Sequence, residues 1–434
     1  MCSIGQPEDD VNTTVDYAYY SSALDGVRLP AAVLDLDALE ANARAVLTRA
    51  GKLPVRLGSK SIRVRGVIER LLASDARYAG LLCFSAEEAV WLAGHGFRDL
   101  VVAYPTVQER LVRAVCRANR ACAGESPGAN AAASAGSAPL TGTAPAPITL
   151  MVDSPAQVDM LGRIAASEGV CLPLCLDLDL SVKYPGLHFG VRRSPVADVR
   201  EALAVYRAIQ QCPALRLDGL MGYEAQIAGL PDSVPGARLK SSVVRALKRQ
   251  SIPRIHARRQ AVVAALKDAG AVLRFVNGGG TGSLESTAQD DSVTELTAGS
   301  AFFAPVSFDW FAGFDQIPAM MFALELARIP APGYFTCTGG GYIASGAAGP
   351  DRLPRPVLPE GLSLTATEGA GEVQTPLLVR TGSTATSLEV GEPVFFRHTK
   401  AGELCERFNE VLCIRDCEIV DRLPTYRGEG QCFL

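Results

Sequence analysis

Lys60 lies where an apolar segment of the chain ends. The run PVRLG (54–58) precedes it, and serines flank it on both sides, as Ser59 and Ser61. A lysine amine that is shielded from water at such a position is the group that forms a Schiff base with a carbonyl cofactor. A strand-end lysine that is simply solvated is the more common occurrence, so the position alone leaves both interpretations open.

A glycine-rich segment, NGGGTGSLES (277–286), follows another apolar run. Glycines allow backbone N–H groups to turn toward an anion, and Thr281 and Ser283 add hydroxyl donors. The segment is not a P-loop, since it lacks the Gly-Lys-Ser/Thr ending, and it is not a complete G-x-G-x-x-G motif. It indicates either a phosphate site or an ordinary turn after a strand. Gly299-Ser300 offers a further donor to the same site.

Other polar side chains stand at the ends of apolar runs. Tyr223 would either stack on a cofactor ring or pack in the core, and its position alone slightly favours the core. In a parallel barrel such strand-end groups gather at one rim, where reactive residues are found. The remaining groups of this kind are Ser85, Tyr104, Asp153, Asp177, Asp179 and Glu224.

The elements that must position these residues are short apolar runs, which alternate with helical patterns from about residue 29 to residue 304. Continuous apolar strands that are each followed by a helix predict a parallel sheet covered by helices. Eight such runs favour a closed α/β barrel, the TIM-like (β/α)8 fold, over an open sheet. The runs are AAVLDLD (31–37), PVRLGSK (54–60), GLLCFS (80–85), DLVVAYP (99–105), ITLMVDS (148–154), LPLCLDLD (172–179), RLDGLMGYE (216–224) and AVLRFVNGG (271–279).

Three regions lie outside the barrel pattern. Residues 305–434 carry Gly- and Pro-rich connections and short alternating runs, which predict a C-terminal antiparallel β-domain. Residues 1–28 are expected to pack on that domain. Residues 121–147 are almost all Ala, Gly, Ser, Pro and Thr, which predicts a disordered surface insertion. Within the barrel region, Pro253 is expected to kink or split the helical stretch 236–268.

Composition restricts the class of protein. The 434 residues are 48% apolar and 20% charged, with a net charge of 42 − 46 = −4. This balance provides no global field for binding nucleic acid or an acidic membrane, and the apolar runs are too short to span a bilayer. The chain opens without a signal-peptide pattern, and its 12 cysteines form no C-x-x-C motif. We therefore expect a cytoplasmic enzyme with reduced cysteines.

Together these residues resemble the fold-type III enzymes that depend on pyridoxal 5′-phosphate (PLP), the alanine racemase-like barrels. The opening strand and helix, followed by Lys60, resemble that family's order of strand, helix and PLP lysine. More narrowly, the chain resembles the branch of D-threonine aldolase and D-serine dehydratase, especially bacterial proteins of the amino acid deaminase/aldolase type. The narrower resemblance lies in GLHFGVRRSPV (186–196), GLMGYEAQIAG (219–229), NGGGTGSLES (277–286), GGGYIASG (339–346), EGAGEVQTP (368–376), RHTKAGELCERF (397–408) and TYRGEG (425–430).

The resemblance implies roles for particular residues. Lys60 would form the Schiff base with PLP, and Tyr223 would lie near the cofactor. Arg193, or its neighbour Arg192, would reach the 3′ oxygen of PLP. The family is dimeric, with the β-domain of one subunit closing the active site of the other, so we expect a homodimer that acts on a small amino-acid substrate. The residues implied for the cofactor phosphate are Gly279, Gly280, Thr281, Gly282 and Ser300.

One C-terminal motif departs from the family pattern. The nearest characterised members bind a divalent metal through an H-x-C or H-x-D pair, whereas this chain has His398-Thr399-Lys400. An ammonium group repels a metal rather than ligating it, so we expect no divalent metal here. One hypothesis is that the charge of Lys400 replaces the metal and that His398 acts as acid or base at the β-substituent. The alternative is that both are structural, with Lys400 paired to Glu403 or Glu406.

The resemblance leaves three functions open. The first is a PLP lyase acting on a D-3-hydroxy amino acid, by aldol cleavage or by dehydration and deamination. The second is a PLP racemase, which needs two bases on opposite faces of the cofactor. The third is a PLP-binding barrel without turnover, which the large C-terminal β-domain argues against.

Overall fold

The structure is a computed structural model that describes residues 16–123, 148–347 and 349–434. The first part of the N-terminal segment and nearly all of the insertion predicted at 121–147 therefore lie outside the described residues. The α-helices are α1 (Tyr17–Ala23), α2 (Leu36–Ala50), α3 (Arg65–Ser74), α4 (Ala86–Gly94), α5 (Glu109–Ala123), α6 (Pro155–Glu168), α7 (Val199–Gln210), α8 (Ala225–Ala228), α9 (Arg238–Asp268) and α10 (Leu284–Thr287).

The strands form two large sheets and one small hairpin. In chain order they are β1 (Ala31–Asp35), β2 (Val55–Gly58), β3 (Tyr78–Cys83), β4 (Leu100–Val102), β5 (Ile148–Val152), β6 (Leu172–Asp177), β7 (Val182–Tyr184), β8 (Leu187–Phe189), β9 (Leu215–Gly222), β10 (Phe275–Gly278), β11 (Glu295–Ala298), β12 (Met320–Ala331), β13 (Tyr334–Thr338), β14 (Arg355–Leu358), β15 (Leu362–Leu364), β16 (Gln374–Val379), β17 (Pro393–Arg397), β18 (Glu410–Arg415) and β19 (Glu418–Pro424).

Two compact units divide the chain. The barrel unit contains residues Asp37–Met320, Lys400–Glu410 and Leu423–Leu434. The sheet unit contains the described residues up to Leu36 together with Met321–Thr399 and Val411–Arg422. Segments distant in the sequence therefore share a unit, whereas the domain boundaries predicted at 28 and 304 assume contiguous domains and stay predictions.

The barrel unit is built on a closed parallel barrel, as the alternation of strands and helices predicts. Its strands follow the order β2-β3-β4-β5-β6-β9-β10-β11, and β11 closes the circle by pairing with β2. The interior is filled by buried side chains, including Met151 and Cys175 from neighbouring strands and Phe275 from β10. All the carboxyl ends of these parallel strands point to one rim, which is where this architecture assembles reactive groups.

The apolar run 31–37 is not a barrel strand, contrary to the prediction. It forms β1, which pairs in parallel with β18 in the sheet unit, with Val33 opposite Leu412. Both faces of β1 are buried there, and an apolar run indicates burial on both faces without indicating which sheet provides it. The eighth barrel strand is instead the short, partly polar β11.

The sheet unit is mostly antiparallel, which confirms the predicted β-domain. Its strand order is β15-β16-β13-β12-β1-β18-β19, and β17 pairs with both β12 and β14. Helix α1 packs on this sheet, because Tyr20 belongs to a core that also contains Met321 and Phe395. The hydroxyl of Tyr20 donates to the Asp35 carboxylate at 2.6 Å.

Helix α9 runs unbroken through Pro253, so the expected split does not occur. A proline inside a helix costs about 3 kcal/mol because it removes a hydrogen bond and crowds the preceding turn. Buried residues on both sides of the proline, including Val244, Ile255 and Leu266, hold the helix in place. In the described parts of the chain, no helix is long and apolar enough to cross a membrane.

Candidate active site

Lys60 stands at the rim of the barrel. Strand β2 ends at Gly58, and a single 3-10 turn, Ser59–Ser61, carries the exposed lysine. The hydroxyl of Ser59 is buried and donates to the Leu82 carbonyl of β3 at 3.1 Å. Lys60 thus lies where the strand-end pattern predicts it, on a turn anchored to the neighbouring strand, but its side chain is exposed rather than shielded from water.

The backbone after Lys60 is held by a buried arginine. Arg63 has a positive φ of 53°, an uncommon conformation for a side-chain-bearing residue. Its Nε donates to the Lys60 carbonyl at 2.9 Å, and its Nη1 pairs with the Glu406 carboxylate at 2.7 Å. The Cys405 thiol also donates to the carbonyl of Ile62 at 3.3 Å. These contacts fix the direction in which the Lys60 turn leaves the strand.

A buried carboxyl group lies beneath the same turn. Glu88 is 0% exposed and accepts hydrogen bonds from the Phe84 N–H at 2.8 Å and from the Tyr426 hydroxyl at 2.9 Å. Burial raises the pKa of Glu88 to about 7, although a hydrogen bond with Ser59 and the charge of Arg63 oppose the rise. Glu88 therefore changes protonation near neutral pH, and it is hydrogen-bonded to Ser59, the residue before Lys60.

The glycine-rich loop is closely packed at two positions. A Cβ on Gly280 would lie 3.0 Å from Cε2 of Tyr223 and 2.9 Å from the Cβ of Ala228. A Cβ on Gly282 would lie 2.5 Å from both the Ala228 carbonyl oxygen and Cε1 of Phe311. Side chains at these positions would displace the neighbouring groups, so the loop requires glycine, and the ring of Tyr223 lies directly against it.

Hydrogen bonds connect this loop to the turn that carries Lys60. The Thr281 hydroxyl accepts from the Ala301 N–H at 3.1 Å. The neighbouring Ser300 hydroxyl lies 3.2 Å from the hydroxyl of Ser61. Strands β10, β11 and β2 are adjacent in the barrel, which brings their ends together. The structure thus unites Lys60, Thr281 and Ser300 at one part of the rim.

Two of the loop's backbone donors are already used within the protein. The Gly280 N–H donates to the Ser283 hydroxyl at 3.1 Å, and the Gly282 N–H donates to the Ala228 carbonyl at 3.1 Å. The hydroxyl of Ser283, considered in the sequence as an anion donor, points instead to the Glu224 carboxylate at 3.0 Å. These hydrogen bonds within the protein hold the loop in one conformation.

Charged groups at the adjacent strand ends interact electrostatically with one another. Burial raises the pKa of Tyr223 to about 12, with a further rise from Glu224 and an opposing effect from the charge of Arg193. Burial, together with the charges of Asp153 and Asp179, raises the pKa of Asp177 to about 7, again against Arg193. Arg193 itself is exposed, and its charge acts on both Tyr223 and Asp177.

His398 and Lys400 fall in different compact units. His398 follows β17 in the sheet unit and is 3% exposed, and neither ring nitrogen has a hydrogen-bond partner among the described residues. Burial, with the charge of Arg397, lowers the pKa of His398 to about 3, so the ring is neutral. The Lys400 amine lies 3.9 Å from the Glu403 carboxylate, in agreement with the structural alternative.

The residues around His398 do not fit a divalent metal. The next side chains in the motif are a hydroxyl that donates to the Leu353 carbonyl at 2.9 Å and the ammonium of Lys400. Within the described ranges, no group of three or more His, Cys, Asp or Glu side chains could hold a metal ion.

A closed parallel barrel with a separate, mostly antiparallel sheet is the alanine racemase-like fold. The chain belongs to the family described as the alanine racemase N-terminal domain, whose profile matches residues 34–304. The match covers the barrel strands and includes both Lys60 and the glycine-rich loop. It confirms the resemblance inferred from the sequence motifs.

Two curated relatives are aldolases. The chain is 23% identical over 283 residues to 3-hydroxy-D-aspartate aldolase of Paracoccus denitrificans (strain Pd 1222), covering 65% of this chain and 62% of that protein. It is 25% identical over 280 residues to D-threonine aldolase of Arthrobacter sp, covering 64% of this chain and 61% of that protein. The chain thus spans a little over three fifths of the length of these curated relatives.

Solved structures show the same fold over nearly the whole chain. D-threonine aldolase from Filomicrobium marinum superposes with a TM-score of 0.73 at 18% identity, covering 93% of this chain and 96% of that chain. D-threo-3-hydroxyaspartate dehydratase from Delftia sp. HT23 superposes with a TM-score of 0.70 at 20% identity, covering 93% and 98%. At this identity the similarity establishes the shared architecture.

The family implies PLP as the cofactor, and the rim residues fit it. A carbonyl cofactor needs an accessible amine, which Lys60 supplies. Its phosphate needs a loop that allows close approach to the backbone, and the glycines at 279, 280 and 282 carry no side chain that would prevent it. The hydroxyls of Ser61 and Ser300 add polar groups beside the amine.

The sequence does not predict the buried groups Glu88 and Arg63 to be parts of the site. Glu224 was noted only as a strand-end group. One local signal was available for it, since Glu224 directly follows Tyr223 at the end of β9.

Proposed function

We propose that this protein is a PLP-dependent lyase that acts on a D-3-hydroxy amino acid through Lys60. The observation that carries the proposal is the hydrogen-bonded path from the Lys60 turn to the glycine-rich loop, through Ser61, Ser300 and Thr281. An amine and an anion-binding loop at one barrel rim are the two ends that a phosphorylated aldehyde requires. The aldolase and dehydratase relatives support the lyase class.

Each rim residue has a proposed task toward the cofactor. Gly279, Gly280, Thr281, Gly282 and Ser300 would line the phosphate site. The hydroxyls of Thr281 and Ser300 would act as donors there, since the Gly280 and Gly282 N–H groups already donate within the protein. Tyr223 would contact the ring. Arg193 would reach the 3′ oxygen, as the family resemblance implies. When bound, PLP supplies an electron sink for the bond broken at the substrate α-carbon.

The protein's own groups would then move protons. Lys60, whose amine would hold the cofactor, would take or return a proton on its own face of the cofactor when that amine is free. His398 and Lys400 remain proposed as the groups at the β-substituent, with His398 as acid or base and Lys400 supplying positive charge. Aldol cleavage would remove the hydroxyl proton, break the Cα–Cβ bond to release an aldehyde, and return a proton to the α-carbon. Dehydration would remove the α-proton and expel the hydroxyl as water, and hydrolysis of the resulting imine would release ammonia.

The assembly and location of the enzyme are part of the proposal. We expect a homodimer in the cytoplasm, with a small amino acid as the substrate. Size-exclusion chromatography with light scattering of the PLP-loaded protein tests the dimer.

A substrate screen tests the proposed reaction. The purified protein with PLP is incubated with D- and L-3-hydroxy amino acids, and aldehyde release is measured separately from ammonia release. We expect release with D substrates and complete loss of it in Lys60→Ala. The matched control is Lys52→Ala, since Lys52 is an exposed lysine just before the same strand and should leave turnover unchanged.

Two results would contradict the lyase. Turnover that survives in Lys60→Ala would show that Lys60 is not the catalytic lysine. Solvent deuterium incorporated at the α-carbon with inversion, without aldehyde or ammonia, would assign the protein as a racemase.

A further inference from the structure

A network of buried charges lies behind the glycine-rich loop. Glu224 is 2% exposed, and its carboxylate accepts hydrogen bonds from the hydroxyls of Ser283 and Thr287 and from Nη2 of Arg259 at 3.0 Å. Arg259 is 0% exposed, and its Nη1 pairs with the Asp290 carboxylate at 2.6 Å. One buried cation therefore faces two buried carboxylates from distant parts of the chain.

The outer carboxylate of this network is itself satisfied. Burial opposes ionisation of Asp290, but hydrogen bonds from Ser292 and the charge of Arg259 lower its pKa. Gln260 donates to the same carboxylate at 3.2 Å. Asp290 therefore remains a stable anion that holds one end of the Arg259 guanidinium, leaving the other end for Glu224.

The network reaches the glycine-rich loop through one hydroxyl. Ser283 donates its single proton to Glu224 at 3.0 Å and accepts the Gly280 N–H at 3.1 Å. Because a serine hydroxyl has only one proton, the Glu224 carboxylate fixes the direction in which Ser283 presents its lone pairs. The orientation of the Gly280 peptide thus depends on Glu224 through one intervening atom.

The same network reaches the strand end that carries Tyr223. Nη2 of Arg259 also donates to the Gly222 carbonyl at 3.1 Å, directly before Tyr223. The Tyr223 ring in turn lies against Gly280, as the 3.0 Å approach at that position requires. The loop and the tyrosine are therefore held by the same buried ion pair.

A buried ion pair is a weak contributor to stability, since replacing it by packed apolar groups is often neutral or stabilising. The ion pair between Glu224 and Arg259 is better explained by positioning. Its hydrogen bonds lead to the glycine-rich loop and to the strand end that carries Tyr223, which are the two parts of the site that the cofactor would contact. We propose that Glu224 is a positioning residue that, with Arg259 and Ser283, locks the glycine-rich loop in the geometry that receives the phosphate of the cofactor. This inference rests on the proposed function, because it takes the loop as the phosphate site.

Comparison of PLP with pyridoxal separates positioning from general stability. Both compounds carry the same ring and aldehyde, and only PLP carries the phosphate. The affinity of the apo protein for each is measured by absorbance titration, for the wild type, for Glu224→Gln and for Ser283→Ala. The control is Glu168→Gln, which removes a carboxylate paired with Arg113 and Arg117 on the outer helices.

We expect Glu224→Gln and Ser283→Ala each to bind PLP about tenfold more weakly, with pyridoxal affinity within about twofold of the wild type. Hydrogen exchange at residues 279–283 of the apo protein should become faster in the same two variants. Glu168→Gln should change neither quantity. Ser283→Ala keeps the ion pair between Glu224 and Arg259, so it decides the question if Glu224→Gln does not fold.

Two contrary results have different meanings. Unchanged PLP affinity in both folded variants, or equal weakening of PLP and pyridoxal, would refute the positioning role while leaving the PLP enzyme intact. A wild-type protein that binds neither compound would instead refute the proposed function.

Discussion

The buried carboxyl of Glu88 predicts an unusual dependence of stability on pH. In the folded protein burial raises its pKa to about 7, whereas the reference value is 4.5. Below pH 4.5 the group is protonated in both states. Between about pH 4.5 and 7 the unfolded chain releases the proton that the folded chain keeps, so the free energy of unfolding falls as pH rises. Above pH 7 the loss is complete.

The size of this effect follows from the pKa change. At 1.36 kcal/mol per pKa unit, a shift from 4.5 to about 7 corresponds to about 3 kcal/mol. Glu88→Gln removes the ionisation; its amide oxygen can still accept from the Phe84 N–H, and its amide N–H can donate to the Tyr426 hydroxyl oxygen. The variant should therefore gain about 3 kcal/mol relative to the wild type between pH 4 and pH 8.

Urea unfolding at a series of pH values measures this difference. Glu87→Gln is the control, because Glu87 is the exposed neighbour on the same helix, and its difference from the wild type should stay flat. Parallel curves for the wild type and Glu88→Gln across the whole range would refute the reasoning. A variant that loses stability relative to the wild type as pH rises would refute its sign.

Two further substitutions examine the loop and the buried histidine. Gly280→Ala should weaken PLP binding at least tenfold, because the added Cβ would lie 2.9 Å from the Ala228 Cβ and 3.0 Å from the Tyr223 ring. Unchanged PLP binding would contradict this packing. Gly94→Ala, where a Cβ meets nothing within 4 Å, is the control in the same titration. His398→Leu should keep or raise the melting temperature, because neither ring nitrogen of His398 has a hydrogen-bond partner among the described residues. The same variant should abolish turnover. Full activity in the folded variant would show that His398 takes no part in the reaction. Turnover should also survive extensive chelation, and activity that returns only with added metal would contradict the role proposed for Lys400.

The barrel was largely predictable because its strands are continuous apolar runs. Strand β11 was missed because its inward side chains are polar. Glu295 pairs with the buried Arg56 at 2.7 Å, and Thr297 bonds to Asn277 at 2.9 Å, so the segment ELTA lacks an apolar pattern. Conversely, the apolar β1 matched the barrel pattern but belongs to the other sheet, since burial alone does not identify a partner strand.

The sequence predicts the residues at the rim of the candidate site but not the buried residues that support them. Strand ends converge in a parallel barrel, so Lys60 and the glycine-rich loop could be placed together before the structure was known. The supporting pair of Glu224 and Arg259 could not be predicted. The two residues are 35 positions apart, and Arg259 lies in a basic helical stretch typical of a solvated surface. Only the fold shows that this arginine is 0% exposed and paired on both sides.

The central claim is a covalent bond between PLP and the amine of Lys60. Borohydride reduction of the PLP-treated protein, followed by peptide mass mapping, identifies the modified residue directly. We expect a single pyridoxyl group on the peptide that contains Lys60, and none in Lys60→Ala. A pyridoxyl group on another lysine, or no stable modification in a folded protein, would contradict it.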